Sequence, residues 1–287
     1  MIGGFVPARK SPGMGSSELV GKLKHTLKEK VGHTGTLDRF AAGLMILVVG
    51  RATSLSDFFL HADKRYIAEF RFGKSTESHD PEGPLIEERG AEESTRFVAD
   101  RSEEIRSWIE DQVQVTEQTP PLYSALKKDG RRYSDHARKG VTELPLPRKV
   151  QIHSAVVLSI SGTDVKAEFS VSGGTYIRSI ARDLGQAFSF PVHLHSLLRT
   201  ALGSFTLDDS AWEPGKTPVI LPPHDVLRWP RIQANTAQVR EIIQGHRPRL
   251  SVPEEGQFAW VVDEKGQPAA WIELDRFGLY KVRRVFQ

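Results

Sequence analysis

Residues 164–172 read DVKAEFSVS, and apolar and polar side chains alternate along the whole run. Alternation with period two marks a half-buried strand in an antiparallel sheet. Moving outward, RYIAEFRFG (65–73) sets Tyr66, Ala68, Phe70 and Phe72 on one face, and GLMILVVG (43–50) is short and continuously apolar, as a buried strand is. GGTYIRSIARDLG (173–185) opens a helix with Ile177, Ile180, Ala181 and Leu184 inward and Gly185 near its end. LVGKLKHTLKEKV (19–31) places Leu19, Leu23, Leu27 and Val31 four apart among Lys22, Lys24, Lys28 and Lys30, which predicts a basic amphipathic helix. ATSLSDFFLHAD (52–63) reads as a further helix. A regular βαβ repeat is missing, which argues against a doubly wound fold. The expected class is α+β, a mixed and mainly antiparallel sheet flanked by helices.

The 287 residues exceed one average domain, so a large domain with a small companion is expected. Prolines cluster in EPGKTPVILPPHDVLRWP (213–230), which reads as a hinge that would let the remainder be removed. Beyond it, short β-like runs (FAWVV, AAWIEL, LYKVRRVF) predict a small β-domain over 231–287. With 39 Lys and Arg against 36 Asp and Glu the net charge is only +3, so an RNA partner must be argued from where charges lie. Between Glu87 and Asp111 nine acidic residues face four basic ones, a solvated helical face, whereas KKDGRRYSDHARK (127–139) carries six basic and two acidic residues with Tyr133 and His136 between them. That mixture suits an RNA-gripping segment or a plain charged surface loop. Cysteine is absent, which excludes disulfide scaffolds, zinc ribbons and thiol nucleophiles. The longest apolar segment, Leu44 to Val49, is far short of the roughly 20 residues that span a bilayer, and the start carries no stretch of signal-peptide length. A soluble, cytoplasmic protein is expected.

The chemistry-bearing stretch is GHTGTLDRFAAG (32–43), a polar loop that runs straight into the buried strand. A phosphate cradle would want Gly-Lys-Ser/Thr after its glycines, and Asp38 would repel the anion. His33, Asp38, His61, Asp63, His79 and Asp80 are individually usable as metal ligands, but no pair has the spacing of a helical ligand pair. No metal is expected on that ground. A carboxylate fixed in a Gly/Thr loop suits a reaction at a sugar C1′, where positive charge develops or an oxygen nucleophile is needed. The plain alternative is a turn aspartate.

GHTGTLD with AAGLMILVVGRATSL, ADKRY (62–66), FGKSTESHDPEG (72–83), QTPPLYSALKKDGRRY (118–133), GGTYIRSIARDLG and HLHSLLRTALGSF (193–205) together resemble, in the same order, the motifs of the TruB-type tRNA pseudouridine-55 synthases. The resemblance covers roughly residues 9–206. It implies a pseudouridine-synthase-like catalytic domain over 1–228, an RNA-gripping insertion at 119–147 and a PUA-like RNA-binding β-domain over 231–287. It also implies isomerisation of a T-loop uridine of tRNA with no cofactor and no metal, with the T-arm as partner, no obligate protein partner and a monomeric enzyme. Asp38 matches the catalytic aspartate, as nucleophile at C1′ or as base for the 2′ proton. Arg178 matches its arginine partner, since a guanidinium nearby favours a charged carboxylate. Tyr66 matches the tyrosine that stacks on uracil and relays the C5 proton, although its alternation also fits a core aromatic. Tyr176 and Leu197 match pocket walls, a role that ordinary packing fits equally well. The target base must be flipped out of its stack, and His33 matches the residue that fills the gap. Lys127, Arg131 and Arg132 fall in the gripping segment.

Three positions and one motif depart from the family pattern: Arg39 stands where Pro is usual, Ala42 for Thr, Leu198 for Arg, and KSPGMGSS alters a Lys-Pro-x-Gly motif. These changes bear on rate and RNA affinity more than on reaction type. Two other classes compete with the isomerase: a tRNA-binding folding chaperone that has lost catalysis, and a metal-dependent hydrolase built on the scattered His and Asp pairs.

Overall fold

The computed structural model describes residues 3–286 except Ala125, Asp129, Ser134, 136–142 and 254–256, and the side chains of Lys127, Lys128, Arg131 and Arg132 are likewise outside the description. Six strands make the path of the main sheet: β1 (Gly3–Lys10), β3 (Ala42–Gly50), β13 (Val192–Leu202), β4 (Lys64–Phe72), β12 (Asp164–Val171) and β11 (Ile152–Ser161), in that spatial order. Only the β3–β13 contact in it is parallel. The expected mixed, mainly antiparallel sheet is therefore what forms, and the alternating runs 65–72 and 164–171 are its adjacent strands β4 and β12.

One face of the sheet buries Met45, Leu47, Val49, Ala68, Phe70 and Phe169 against helices α1 (Ser16–Leu27), α3 (Ala91–Asp100), α4 (Ser102–Glu110) and α5 (Ile177–Phe188). Helix α5 contributes Ile177, Ile180, Ala181 and Leu184, the inward residues its spacing predicts. The other face carries Phe5, Leu44, Ile46 and Val48. These join in one core with Trp260, Val262 and Trp271 from a second sheet of β15 (Arg231–Gln233), β16 (Phe258–Val262), β17 (Pro268–Leu274) and β18 (Tyr280–Val285), and with Phe286 just after it.

Three expectations are corrected. The helix predicted over 19–31 ends at Leu27, because Lys28 turns left-handed (φ 58°) and donates its amide to the Lys24 carbonyl. Val31–His33 then forms strand β2 on β3, as a β-branched residue beside a glycine can. The helix expected over 52–63 is a 3₁₀ turn (Arg51–Leu55) followed by the short α2 (Asp57–Leu60). Here the hydroxyls of Thr53, Ser54 and Ser56 bond back to the Gly50, Arg51 and Thr53 carbonyls and tighten the chain. The proline-rich hinge is a strap instead: Phe5 and Leu221 exchange both backbone hydrogen bonds, and Trp229 stacks on Trp260 with ring centroids 5.0 Å apart. Segment 212–221 thus covers the outer edge of β1.

The edge of β3 away from β1 positions the loop. It pairs with β13 at Ala42 and Gly43 and with β2 at Leu47–Val49, and among the described residues no strand pairs with Leu44–Ile46 on that side. The gap is filled by other donors. The buried Arg199 Nε donates to the Leu44 carbonyl (2.6 Å), and the Thr34 amide donates to the Ile46 carbonyl (3.1 Å). Residues 34–41 leave the sheet through this split. Gly43 is required at its foot: its φ is +112°, and a Cβ there would lie 2.3 Å from the Arg199 carbonyl oxygen.

Candidate active site

Asp38 stands on the loop that emerges from the split, about one-third exposed, and Arg178 reaches it from the first turn of α5. Arg178 Nη2 donates to Asp38 Oδ1 at 3.2 Å, and Nε lies 2.8 Å from Oδ2, an ion-pair contact misaligned for a hydrogen bond. The rest of the guanidinium is spoken for. Nη1 donates to the Ser78 carbonyl (3.2 Å) and lies 3.3 Å from Asp80 Oδ2, while Nη2 also donates to the Tyr123 carbonyl (2.8 Å). A buried arginine thus bridges two carboxylates, one buried and one open to solvent. Fixed on several sides, it can hold the open carboxylate in one orientation.

Asp80 is itself pinned: its Oδ1 accepts from Ser78 Oγ (2.5 Å) and from the Glu82 amide (3.0 Å), and its carbonyl accepts from Thr76 Oγ1 (2.6 Å). His79 between them takes a left-handed conformation (φ 59°), and burial beside Arg182 and Arg178 lowers its pKa to about 4. Burial, and secondarily Asp80, pushes the Glu82 carboxyl up. Lys10, at the end of β1, donates its buried Nζ to the Ser11, Met14 and Arg39 carbonyls and so ties the loop to the strand. Burial lowers its pKa to about 8 against the opposing pull of Asp38.

The remaining sequence candidates are distributed around this pair. Tyr66 on β4 registers with Arg199 on β13, which registers with Gly43, so the tyrosine lies on the row of the sheet at the foot of the loop. It is 7% exposed. Leu197 registers with Ala68 in the next row on the same face and is equally buried. Tyr176 is the residue before α5; its amide is bonded by the buried Gln118 Oε1 (2.8 Å), and burial raises its hydroxyl pKa. His33 ends β2, and its Nδ1 accepts the Gly35 amide at 3.2 Å, which leaves the proton of a neutral ring on Nε2. The side chains of Lys127, Arg131 and Arg132 lie outside the described residues, although their backbones pair as a hairpin of β8 (Lys127–Lys128) and β9 (Arg131–Arg132).

Sequence reasoning did not give Asp80 its place; it appeared only among scattered metal-ligand candidates. Among the described residues no group of three or more His, Asp or Glu is arranged to hold a metal ion. Asp80 is instead the second anchor of Arg178, and the signal for it was SHDPEG, a Ser-x-Asp turn whose side chains bond one another. Asp63 of the same candidate group faces His153 Nε2 at 3.2 Å. Tyr123 and Ser78 act through carbonyls, which side-chain identity cannot reveal.

Comparison with known proteins gives the family. Residues 23–177 match the sequence model of the TruB family pseudouridylate synthases, N-terminal domain. The chain is 37% identical to a tRNA pseudouridine synthase B of Leptospira interrogans, over 99% of this chain and 94% of that protein. It is 38% identical to the Bordetella avium protein of that name, over 72% of this chain and 84% of that one. A chain of a solved Cbf5-Nop10-Gar1 complex superposes with a TM-score of 0.69 at 22% identity, covering 99% of this chain and 85% of that one, a likeness of fold.

Proposed function

The chain belongs to the TruB family of pseudouridylate synthases, and from that premise we propose that it converts the uridine at position 55 of the tRNA T-loop, with Asp38 as its catalytic carboxylate. It is an isomerase acting on a uridine of tRNA, and the product is pseudouridine. The N1–C1′ bond breaks, the uracil turns, C5 bonds to C1′, and the C5 hydrogen leaves to solvent while N1 gains one.

The observation that carries the residue assignment is the carboxylate of Asp38, open on one side and held by Arg178 on the other. An anion fixed at C1′ can add to that carbon or take the 2′ proton; either role needs it ionised and oriented. Tyr66, on the adjoining row, offers its ring to the flipped uracil and its hydroxyl to the C5 proton, and Tyr176 and Leu197 line the same pocket. His33 fills the gap left by the base. The hairpin 127–132 grips the RNA through Lys127, Arg131 and Arg132, and the sheet of residues 231–285 acts as a PUA-like extension of the RNA surface beside a catalytic domain of residues 1–228. The enzyme works as a cytoplasmic monomer without an obligate protein partner. Among the described residues no helix is long and apolar enough to cross a membrane.

The test is single-turnover tritium release from C5-labelled uridine in tRNA, with enzyme saturating so that affinity does not enter the rate. Asp38→Asn keeps shape and loses charge, so release should stop while tRNA binding stays near wild type. Turnover at a comparable rate by a folded Asp38→Asn protein would reduce Asp38 to a turn residue.

A further inference from the structure

Four cations surround the carboxylate loop, and three are hidden: Lys10, Arg178 and Arg199 are at most 4% exposed. The fourth is Arg39, next in sequence to Asp38, whose side chain is 70% exposed. Two carboxylates are open beside it, Asp38 at 34% and Glu82 at 44%, whereas Asp80 is covered. Beside Arg39 the loop therefore exposes two carboxylates against this one cation. Every ribose is bonded to two phosphodiesters, so a C1′ brought to Asp38 carries two further negative charges to this mouth.

Arg39 is also held ready. Its Nε donates to the Gly13 carbonyl (2.9 Å) while its own carbonyl accepts the Gly13 amide (2.8 Å), a two-way clasp on the turn after β1. Glu82 Oε1 is 3.9 Å from Nε, a loose contact, and the two Nη groups hydrogen-bond to none of the described residues. An arginine braced at Nε and open at both Nη atoms presents the planar fork that matches a phosphate. Bracing also lowers the ordering cost of binding.

We infer that Arg39 is the phosphate clamp of the target nucleotide itself: its Nη pair holds a phosphodiester flanking the uridine to be isomerised and offsets the repulsion of Asp38 and Glu82. The clamp rests on the assignment of Asp38 as the carboxylate that meets C1′. It differs from a general RNA grip, because it engages one or other of two specific linkages.

A double-mutant cycle between protein and RNA tests this. T-arm hairpins are made with a neutral methylphosphonate at the 5′ or the 3′ linkage of the target uridine, and binding is measured for wild type and Arg39→Gln. Neutralising the clamped linkage should weaken wild-type binding about tenfold at low salt and Arg39→Gln less than twofold. Equal losses in both proteins at both linkages, or no loss in wild type at either, overturns the clamp. Arg39→Lys keeps the charge without the fork and should lie between them; if Arg39→Gln does not fold, Arg39→Lys decides, and a loss equal to that of wild type at both linkages overturns the clamp. Pseudouridine formation by wild type on the unmodified hairpin is read in parallel. Its failure counts against the proposed function, whereas success with an additive cycle counts against Arg39 alone.

Discussion

Replacing Asp80 by Asn removes one of the two anions that hold Arg178 and leaves the shape of the turn unchanged. The contact is 3.3 Å between groups about 5% exposed, for which the gross attraction at an effective dielectric constant of ~20 is about 5 kcal/mol. The net loss is smaller, because Asp38 still neutralises the guanidinium and an Asn oxygen still accepts from Ser78 and the Glu82 amide. A cost of about 3 kcal/mol, the low end for breaking a buried pair, is expected. Melting should fall by about 6–12 °C for a domain of this size. Catalysis should suffer separately: with one anchor gone the guanidinium can shift toward Asp38, and a misplacement on the order of 1 Å costs about a hundredfold. The assay is saturating single-turnover tritium release, run with a thermal melt and tRNA binding on the same preparation. Asp80→Asn with wild-type melting and wild-type rate would refute the two-carboxylate bridge and leave Asp80 as a turn former.

Three further outcomes are expected. Gly43→Ala must separate β3 from β13 at the foot of the loop, since its Cβ would lie 2.3 Å from the Arg199 oxygen at a positive φ; a loss of roughly 2–4 kcal/mol should appear in denaturant unfolding. His79, with a folded pKa of about 4 against the ordinary 6.5, contributes stability that is complete above pH 6.5 and lost as pH falls through 4, because only the unfolded chain takes up the proton between them. His79→Asn, which tolerates the left-handed turn, should make melting less sensitive to pH in that window. Deleting 231–287 should yield insoluble protein, because it strips Trp260, Trp271 and Phe286 from Phe5, Leu44 and Ile46; a soluble, cooperatively melting fragment would contradict the shared core.

The sheet was legible at β4 and β12, where one face is wet and burial writes period two into the sequence, whereas β1, β11 and β13 were not read as strands. Helix α5 was legible by its apolar stripe. Local hydrogen-bond competition is not written that way, so the serine- and threonine-tightened turn at 51–56 read as plain helix. The proline-rich stretch read as a hinge because proline reports only what a segment cannot do in a sheet interior, not that a strand edge waits for it. In the site, Asp38 and Arg178 are 140 residues apart, and only resemblance to a family paired them. Asp80, Tyr123 and Ser78 complete the bridge through a turn and two carbonyls, which leave little trace in residue type. Arg39 was visible as a departure in sequence, but its exposure and its clasp on Gly13 exist only in three dimensions.

The strap across β1 imposes a timetable on synthesis. Phe5 bonds to Leu221, and the foot of the Asp38 loop pairs with Leu198 and Arg199, so both flanks of the β1–β3 pair wait for chain that emerges roughly 150 to 220 residues later. At roughly 5–20 residues per second that delay is on the order of 10–40 s, during which two strand edges stay open to pairing with a neighbouring nascent chain. A ribosome stalled before residue 198 holds β3 without its parallel partner and the carboxylate loop without the arginine that seals its split. Catalytic competence therefore arrives late and all at once, and the burden of preventing aggregation falls on whatever shields the first strands while the rest of the polypeptide is still being made.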